Sequence, residues 1–251
     1  MRGGAEGAGC FPTGKHYPGI AHLLRAVAVG VAEELGAERA IVDLPLVAID
    51  TETTGRDPAL DRVAEIACVV WQGGAVIERR HWLVNPGMLI PERGDDVHGI
   101  RATKTRRDQP AFAAVAAEVM AALAGRVPVA YNAEFDRAFL LAELERAGAI
   151  GGNLPPACRR GVDWIDPLVW ARELQKMEKG KSLGEVAARL GIDIAQAHRA
   201  TDDAEAAVRV MHAFTSDARV PKTYAAFVQE QRRLGRLFEE ERARWRAQRG
   251  L

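Results

Sequence analysis

Short apolar runs separated by turn residues dominate the first half of the chain, and this pattern predicts β-strands. Residues 46–49 are an unbroken apolar run and predict a buried strand. Two further runs, 63–71 and 75–84, flank the pair Gly73-Gly74, which is typical of a tight hairpin turn. The short links between these runs predict three consecutive antiparallel strands.

The second half of the chain alternates helical apolar spacing with short strand-like runs. Ser182, followed by Glu185 three residues later, has the pattern of a helix capping box. After the three strands the predicted order is helix 110–123, strand 127–131, helix 132–148, strand 162–165, and helices 168–174, 182–190, 202–214 and 221–246. This order predicts an α/β fold, with a mixed β-sheet of about five strands flanked by helices.

The two ends of the chain predict additions to a central domain. Residues 1–17 are rich in glycine and predict a mobile leader, and residues 20–35 have the apolar spacing of an amphipathic helix that stops at Gly36. We therefore expect three parts. A flexible leader with an accessory helix spans 1–44, the main domain spans 45–215, and a basic amphipathic helix spans 216–251.

Charge is balanced overall but unevenly distributed. The chain has 34 Lys and Arg and 34 Asp and Glu residues, whereas residues 219–251 contain nine basic and four acidic residues, so the tail carries +5 and the rest −5. An acidic body with a basic tail is compatible with a phosphate-containing substrate. The tail helix either docks on its own domain or contacts a partner or nucleic acid.

Cysteine usage and hydropathy exclude several classes of protein. Cys10, Cys68 and Cys158 lie far apart and lack the paired spacing of a zinc site or a disulfide framework. No run of about 18 apolar residues predicts a membrane span, and the first residues lack the basic start and apolar block of a secretory signal. The sequence favours a cytoplasmic protein that is not associated with a membrane.

Two carboxylates follow the first predicted strand. The strand period of two places Asp50 and Glu52 on the same face. Acids that project together repel each other unless a cation lies between them, and a hard divalent ion such as Mg²⁺ or Mn²⁺ prefers oxygen ligands. The alternative is that both are solvated residues at the junction of strand and loop.

Two further groups of polar residues occur at predicted helix starts. Asp136 lies in the first turn of the helix that Asn132 is predicted to cap, where an acid also stabilises the helix dipole. Asp202, with Glu205 three residues on, has the pattern of a second cap, which leaves Asp203 free to point at the sheet. His198 is predicted to lie in the preceding loop, where the alternative is an ordinary surface histidine.

Taken together, these residues resemble the three motifs of the DEDD superfamily of exonucleases, histidine branch. The similar segments are Asp50-x-Glu52-Thr-Thr-Gly, Asn132-x-x-Phe135-Asp136 and His198-x₄-Asp203, in the family's order over about residues 45–215. The family includes the proofreading epsilon subunit of bacterial DNA polymerase III, RNase T and oligoribonuclease. The resemblance implies an RNase H-like fold and 3′→5′ exonuclease activity.

The resemblance also implies roles for individual residues. Two Mg²⁺ or Mn²⁺ ions would be held by Asp50, Glu52, Asp136 and Asp203, and His198 would be the general base. By the same resemblance the terminal nucleotide would be contacted by Thr53, Thr54, His98, Asn132 and Phe135. For Thr53 and Thr54 the alternative is a plain turn, and for Phe135 it is burial between helix and sheet, which is common for aromatic residues.

The expected function is 3′→5′ hydrolysis of single-stranded nucleic acid ends with release of nucleoside monophosphates. DNA is the favoured substrate, in proofreading or repair. The alternatives are a 3′→5′ exoribonuclease and a non-catalytic polymerase accessory module. Gln231-x-x-Leu234-x-x-Leu237-Phe238 faintly resembles a sliding-clamp-binding peptide, so a polymerase or clamp is a candidate partner, although one helix face gives the same spacing.

Overall fold

A computed structural model describes residues 30–88, 108–195 and 199–249. Its strands and helices alternate largely as the apolar pattern predicts. In chain order they are β1 Leu46–Thr53, β2 Val63–Gln72, β3 Ala75–Leu83, α1 Phe112–Leu123, β4 Val127–Val129, α2 Ala133–Arg146, α3 Pro167–Leu174, α4 Leu183–Arg189, α5 Ala200–Phe214 and α6 Tyr224–Arg249.

The sheet is mixed, in the order β3-β2-β1-β4. β2 is antiparallel to both β1 and β3, as predicted, and β1 pairs in parallel with β4. The predicted last strand is reduced to a single bridge between Ile165 and Val129. Pairing stops there because Asp163 instead donates its N–H to Gly30 at 2.8 Å, and Pro167 begins α3.

Both faces of the sheet are covered by helices. Along β1, Ala48 packs in the cluster that contains Val208 of α5, whereas Val47 and Ile49 pack in the cluster that contains Phe112 of α1 and Phe139 of α2. Nine of the ten residues of β2 are buried, which fits a central strand covered on both faces. Even-numbered residues of β1 therefore face α5, and odd-numbered residues face α2.

One predicted helix start and one predicted helix end need correction. α5 begins at Ala200 and not at Asp202, and Glu205 is not a capping partner, since its carboxylate accepts hydrogen bonds from Arg79 at 2.6 Å and Arg209 at 2.9 Å. The predicted helix at 20–35 does not extend to its expected end, because 33–35 form only a 3₁₀ turn. Residues 20–29 lie outside the described part. The capping box of Ser182 and Glu185 on α4 is confirmed.

Segments on either side of the predicted main domain pack on it and on each other. Ile41 donates its N–H to the carbonyl of Lys222 at 2.8 Å, and Tyr224 donates its N–H to the carbonyl of Arg39 at 2.9 Å. The first half of α6 buries Tyr224, Phe227 and Leu234, whereas residues 239–249 are exposed. None of the helices in the described residues is long and apolar enough to cross a membrane.

Candidate active site

Three of the predicted metal ligands converge at the end of β1. Carboxylate oxygens of Asp50, Glu52 and Asp203 lie within 4.8 Å of one another. Asp50 and Glu52 are even-numbered residues of β1 and so face α5, whose first turn carries Asp203. Glu52 is buried, and the other two side chains are partly exposed. The spacing of two along β1 thus brings together acids that are about 150 residues apart in the chain.

Asp136 lies beside this group but approaches β1 from the face covered by α2. Its Oδ1 accepts hydrogen bonds from both the N–H and the hydroxyl of Thr51, each at 2.8 Å. Thr51 is an odd-numbered residue of β1, which explains why the three-carboxylate group found in the described residues does not include Asp136. Asp136 is 4% exposed, and its charge still acts on Asp50.

The electrostatics of the site favour a cation. Burial, followed by the charges of Asp136, Glu52 and Asp203, raises the pKa of Asp50 well above its ordinary value. Burial raises the pKa of Asp136 to about 7, although the hydrogen bonds from Thr51 oppose the shift. Hard carboxylate oxygens gathered against mutual repulsion are the donor set that Mg²⁺ and Mn²⁺ prefer, so the residues present fit a divalent ion.

Glu65 is a further buried acid at the site that the sequence analysis missed. It lies opposite Glu52 in the pairing of β1 with β2, is 2% exposed, and accepts a hydrogen bond from the backbone N–H of Ala200. Burial and the charge of Glu52 raise its pKa to about 7, while Arg199 opposes the shift. The sequence feature that could have indicated Glu65 is the presence of an acid within the apolar run of β2. Its contact with Ala200 attaches the start of α5 to β2.

The loop after β1 uses the hydroxyl groups of both predicted substrate-binding threonines. The Thr53 hydroxyl donates to the carbonyl of Gly55 at 2.6 Å. The Thr54 hydroxyl donates to Asp61 at 3.3 Å and accepts from the N–H of Arg62 at 3.0 Å. A Cβ on Gly55 would overlap the Asp61 carboxylate, so a larger residue there would displace a side chain that bonds to Thr54. The substrate contacts of Thr53 and Thr54 stay predictions.

A buried carboxylate on α2 holds the far end of the same loop. Glu143 is 1% exposed and accepts a bidentate hydrogen bond from Arg62, at 2.5 and 2.8 Å. Arg146 donates to Glu143 at 3.1 Å and to the loop carbonyls of Pro58, Ala59 and Asp61. These contacts attach residues 58–62 to α2.

The remaining predicted site residues have different environments. Asn132 occupies the cap position of α2, but its side chain makes no capping hydrogen bond, and its backbone is left-handed at φ 68°. Phe135 is half-buried, with its ring centroid 4.9 Å from that of Phe139. Its packing agrees with the burial alternative, and its substrate contact stays a prediction. His98 and His198 lie outside the described residues.

The fold and the carboxylate group together define a class of protein, an α/β domain with an acidic site suited to a divalent cation. The family model described as exonuclease, RNase T type, matches residues 47–211. The chain belongs to this exonuclease family. The predicted resemblance to DEDD-superfamily exonucleases is confirmed, and so is the predicted RNase H-like fold.

Curated relatives are much longer than this chain. A PolC-type DNA polymerase III of Thermotoga maritima is 30% identical over 188 residues, which cover 73% of this chain and 13% of that protein. The 3′-5′ exonuclease DinG of Bacillus subtilis is 36% identical over 160 residues, which cover 63% of this chain and 16% of that protein. The similarity is therefore confined to one part of each relative.

Solved structures of exonucleases share the fold. A zinc-bound complex of E. coli exonuclease I with single-stranded DNA superposes with a TM-score of 0.59 at 23% identity, covering 70% of this chain and 42% of that chain. Exonuclease X in complex with 5′-overhanging duplex DNA gives a TM-score of 0.54 at 22% identity, covering 73% of this chain and 99% of that chain.

Without divalent ions, the melting temperature of the protein is expected to fall between about pH 5 and pH 7. The raised pKa values of Asp50, Asp136 and Glu65 mean that the folded state keeps protons that the unfolded state releases near pH 4. Their contribution to stability is complete at low pH and is lost as pH rises through the folded-state pKa.

Thermal unfolding in EDTA across this pH range measures the effect. Adding Mn²⁺ at the upper end should restore the melting temperature, because a cation that binds only the folded state stabilises it. Carboxylates with lowered pKa values, such as Asp217 at about 2, add stability as pH rises through their unfolded-state pKa near 4, and this gain is complete by about pH 5, below the window of the predicted fall. A melting temperature that rises steadily from about pH 5 to pH 7 in EDTA would contradict the proposed repulsion.

Proposed function

We propose that this chain is a metal-dependent 3′→5′ exonuclease that removes nucleoside monophosphates from single-stranded ends, with DNA as the preferred substrate. The observation that carries the proposal is the group of three carboxylates, within 4.8 Å, on β1 and α5 of an exonuclease-family domain. A relative named as a 3′-5′ exonuclease and a structural neighbour bound to single-stranded DNA support the direction and the substrate class.

Asp50, Glu52 and Asp203 would hold two Mg²⁺ or Mn²⁺ ions, with Asp136 as the fourth ligand. When bound, the ions would neutralise the charge that develops on the phosphate oxygens and acidify the attacking water. The protein supplies the geometry. β1 fixes Asp50 and Glu52, and the hydrogen bond from Ala200 to Glu65 fixes the first turn of α5, which carries Asp203.

His198 would accept the proton of the attacking water. It directly precedes Arg199 and α5, and an imidazole titrates near neutral pH. We expect His198→Ala to slow the single-turnover rate by about 10²–10⁴-fold, the usual contribution of general-base catalysis, while the Kd for single-stranded DNA changes little. Rapid-quench kinetics and fluorescence anisotropy with an uncleavable oligonucleotide separate the two quantities, and an unchanged single-turnover rate would remove His198 from this role.

Labelled oligonucleotides test the proposed function directly. Matched single-stranded DNA and RNA, each labelled at the 5′ or the 3′ end, are incubated with Mg²⁺, Mn²⁺ or EDTA. We expect 5′-labelled DNA to shorten one nucleotide at a time, and 3′-labelled DNA to release labelled mononucleotide at once, only when a metal is present. Faster digestion of RNA would reassign the substrate to RNA, and intact DNA and RNA with either metal would refute the proposal.

The clamp-like peptide does not support a clamp partner. Gln231 is 8% exposed and Leu234 is 2% exposed, so both side chains are enclosed by their own domain. The amide of Gln231 bonds to the backbone of Trp164 and Asp166. A clamp could engage this segment only if α6 left the domain, and we therefore propose no clamp contact through it.

A further inference from the structure

Gln231 connects the C-terminal helix to the helix that carries Asp136. Its side-chain oxygen accepts the N–H of Asp166 at 2.9 Å, and its side-chain nitrogen donates to the carbonyl of Trp164 at 2.8 Å. Both sides of the amide are therefore satisfied by the segment between α2 and α3. This segment includes Ile165, which bridges to β4. Gln231 thus fixes the backbone of Asp166 relative to the sheet.

Asp166 in turn holds the start of α2. Its Oδ1 accepts the N–H groups of Asn132 at 3.0 Å and Leu168 at 2.9 Å, and its Oδ2 accepts the N–H of Ala133 at 3.1 Å. One carboxylate therefore caps two helices, α2 and α3. Asn132 has the only positive φ among the non-glycine residues described, a conformation that L-residues avoid. The hydrogen bonds from Asn132 and Ala133 to Asp166 oppose relaxation of this backbone.

The backbone that Asp166 holds lies close in the chain to a proposed metal ligand. Asp136 lies in the first turn of α2, three residues after Ala133, and its carboxylate contacts Thr51 next to Asp50. A shift at the start of α2 would move Asp136 relative to Asp50 and Glu52. Groups that orient metal ligands are a recognised determinant of metal affinity.

We propose that Gln231 is a positioning residue for the metal site, which acts through Asp166 and the start of α2 on Asp136. The proposal rests on the proposed function, because it takes Asp136 as a metal ligand. It makes α6, which lies beyond the residues matched by the exonuclease family, part of the structure that orders the site. The alternative is that Gln231 only stabilises the docking of α6.

Two variants of the same helix separate these alternatives. Gln231→Met keeps the length of the side chain but removes both hydrogen bonds. Leu234→Ala is the matched control, because Leu234 is 2% exposed, lies three residues further along α6 and makes apolar contacts only. Both variants should unfold at lower temperature than the wild type. Asp166→Asn is a third variant, which keeps the shape of the carboxylate and removes one of its acceptor oxygens.

Direct binding of Mn²⁺, followed by the electron paramagnetic resonance signal of free Mn²⁺, gives a readout independent of catalysis. At a temperature where circular dichroism shows all variants folded, we expect Gln231→Met and Asp166→Asn to weaken Mn²⁺ binding by about tenfold. Leu234→Ala should leave the affinity within about twofold of the wild type. The double variant of Gln231 and Asp166 should be little weaker than either single variant, since the two residues act in series.

The outcomes separate this proposal from the proposed function. Equal Mn²⁺ affinity of Gln231→Met and Leu234→Ala would overturn the positioning role, even if the wild type cleaves DNA. A wild type that binds Mn²⁺ but cleaves no nucleic acid would refute the function and leave the affinity comparison valid. A wild type that binds no Mn²⁺ would overturn both.

Discussion

Replacing Asp50 or Asp203 with asparagine is expected to abolish cleavage and, at the same time, to raise the melting temperature of the metal-free protein. Asparagine keeps the shape of the side chain but removes a charged oxygen ligand. A loss of about 4 kcal/mol in transition-state stabilisation corresponds to about a thousandfold lower rate. Removal of one charge also relieves the repulsion that adds to burial in raising the pKa of Asp50.

The two effects are measured by single-turnover cleavage and by thermal unfolding in EDTA near pH 8. A gain of about 1 kcal/mol would raise the melting temperature by about 2–4 °C for a domain of this size. Asp202→Asn is the matched control, because Asp202 lies in the same helical turn as Asp203 but outside the three-carboxylate group. It should leave the rate nearly unchanged. Near-normal cleavage by Asp50→Asn would remove Asp50 from the proposed metal ligands, and a melting temperature below that of the wild type would contradict the relief of repulsion.

The sequence was sufficient to predict β1 and the shared face of its two acids, because both depend on the two-residue period of a strand. Alternation along a buried strand determines which side chains share a face, so Asp50 and Glu52 could be paired without knowledge of the fold. The position of Asp203 was predicted from an incorrect helix start. α5 begins at Ala200 because Glu65, 135 residues earlier in the chain, accepts its N–H, and Glu205 is held by Arg79 of β3. Both contacts join residues that are far apart in the chain, so no local sequence pattern predicts them.

The same limitation applies to the start of α2. Asn132 was expected to cap the helix with its own side chain, which is the usual role of asparagine at that position. Instead the carboxylate of Asp166 caps the helix from 34 residues away, and Asn132 contributes a left-handed backbone. Asparagine is favoured both as a side-chain cap and at positions with positive φ. The sequence alone could therefore not distinguish these two roles for Asn132.

Arg62→Ala is expected to be among the most destabilising single changes outside the carboxylate site. It leaves Glu143, which is 1% exposed, without its bidentate partner in the interior. Breaking a buried ion pair in this way costs about 3–5 kcal/mol. Because Arg146 still donates to Glu143, we expect about 3 kcal/mol, the lower end of that range. Urea unfolding gives the free energy, and Arg80→Ala is the control.

Arg80 is a suitable control because it also pairs with a glutamate, Glu78, but neither side chain is buried, at 43% and 35% exposed. Loss of such a surface pair costs only about 0–1 kcal/mol. The KM for single-stranded DNA should rise with Arg62→Ala and not with Arg80→Ala, because the Arg62 side chain bonds to Glu143 and the Arg62 backbone pairs with Thr54. If both variants were equally stable, Glu143 would have found another partner and the loop would not depend on Arg62.

Loss of Glu143 and loss of Arg62 should have unequal effects, and this difference tests whether the buried charge of Glu143 causes the destabilisation. Glu143→Ala leaves Arg62 and Arg146, whose side chains are 31% and 29% exposed and can turn their charges toward water. Arg62→Ala leaves a carboxylate that is 1% exposed and that keeps Arg146 and the N–H of Val63 as donors but loses its bidentate partner. The double variant should therefore be less destabilised than the sum of the two single variants, because removal of Glu143 abolishes the buried charge that has lost its bidentate partner and makes Arg62→Ala costly. Additive losses would show instead that the packing of the two side chains, and not their charge, holds the loop against α2.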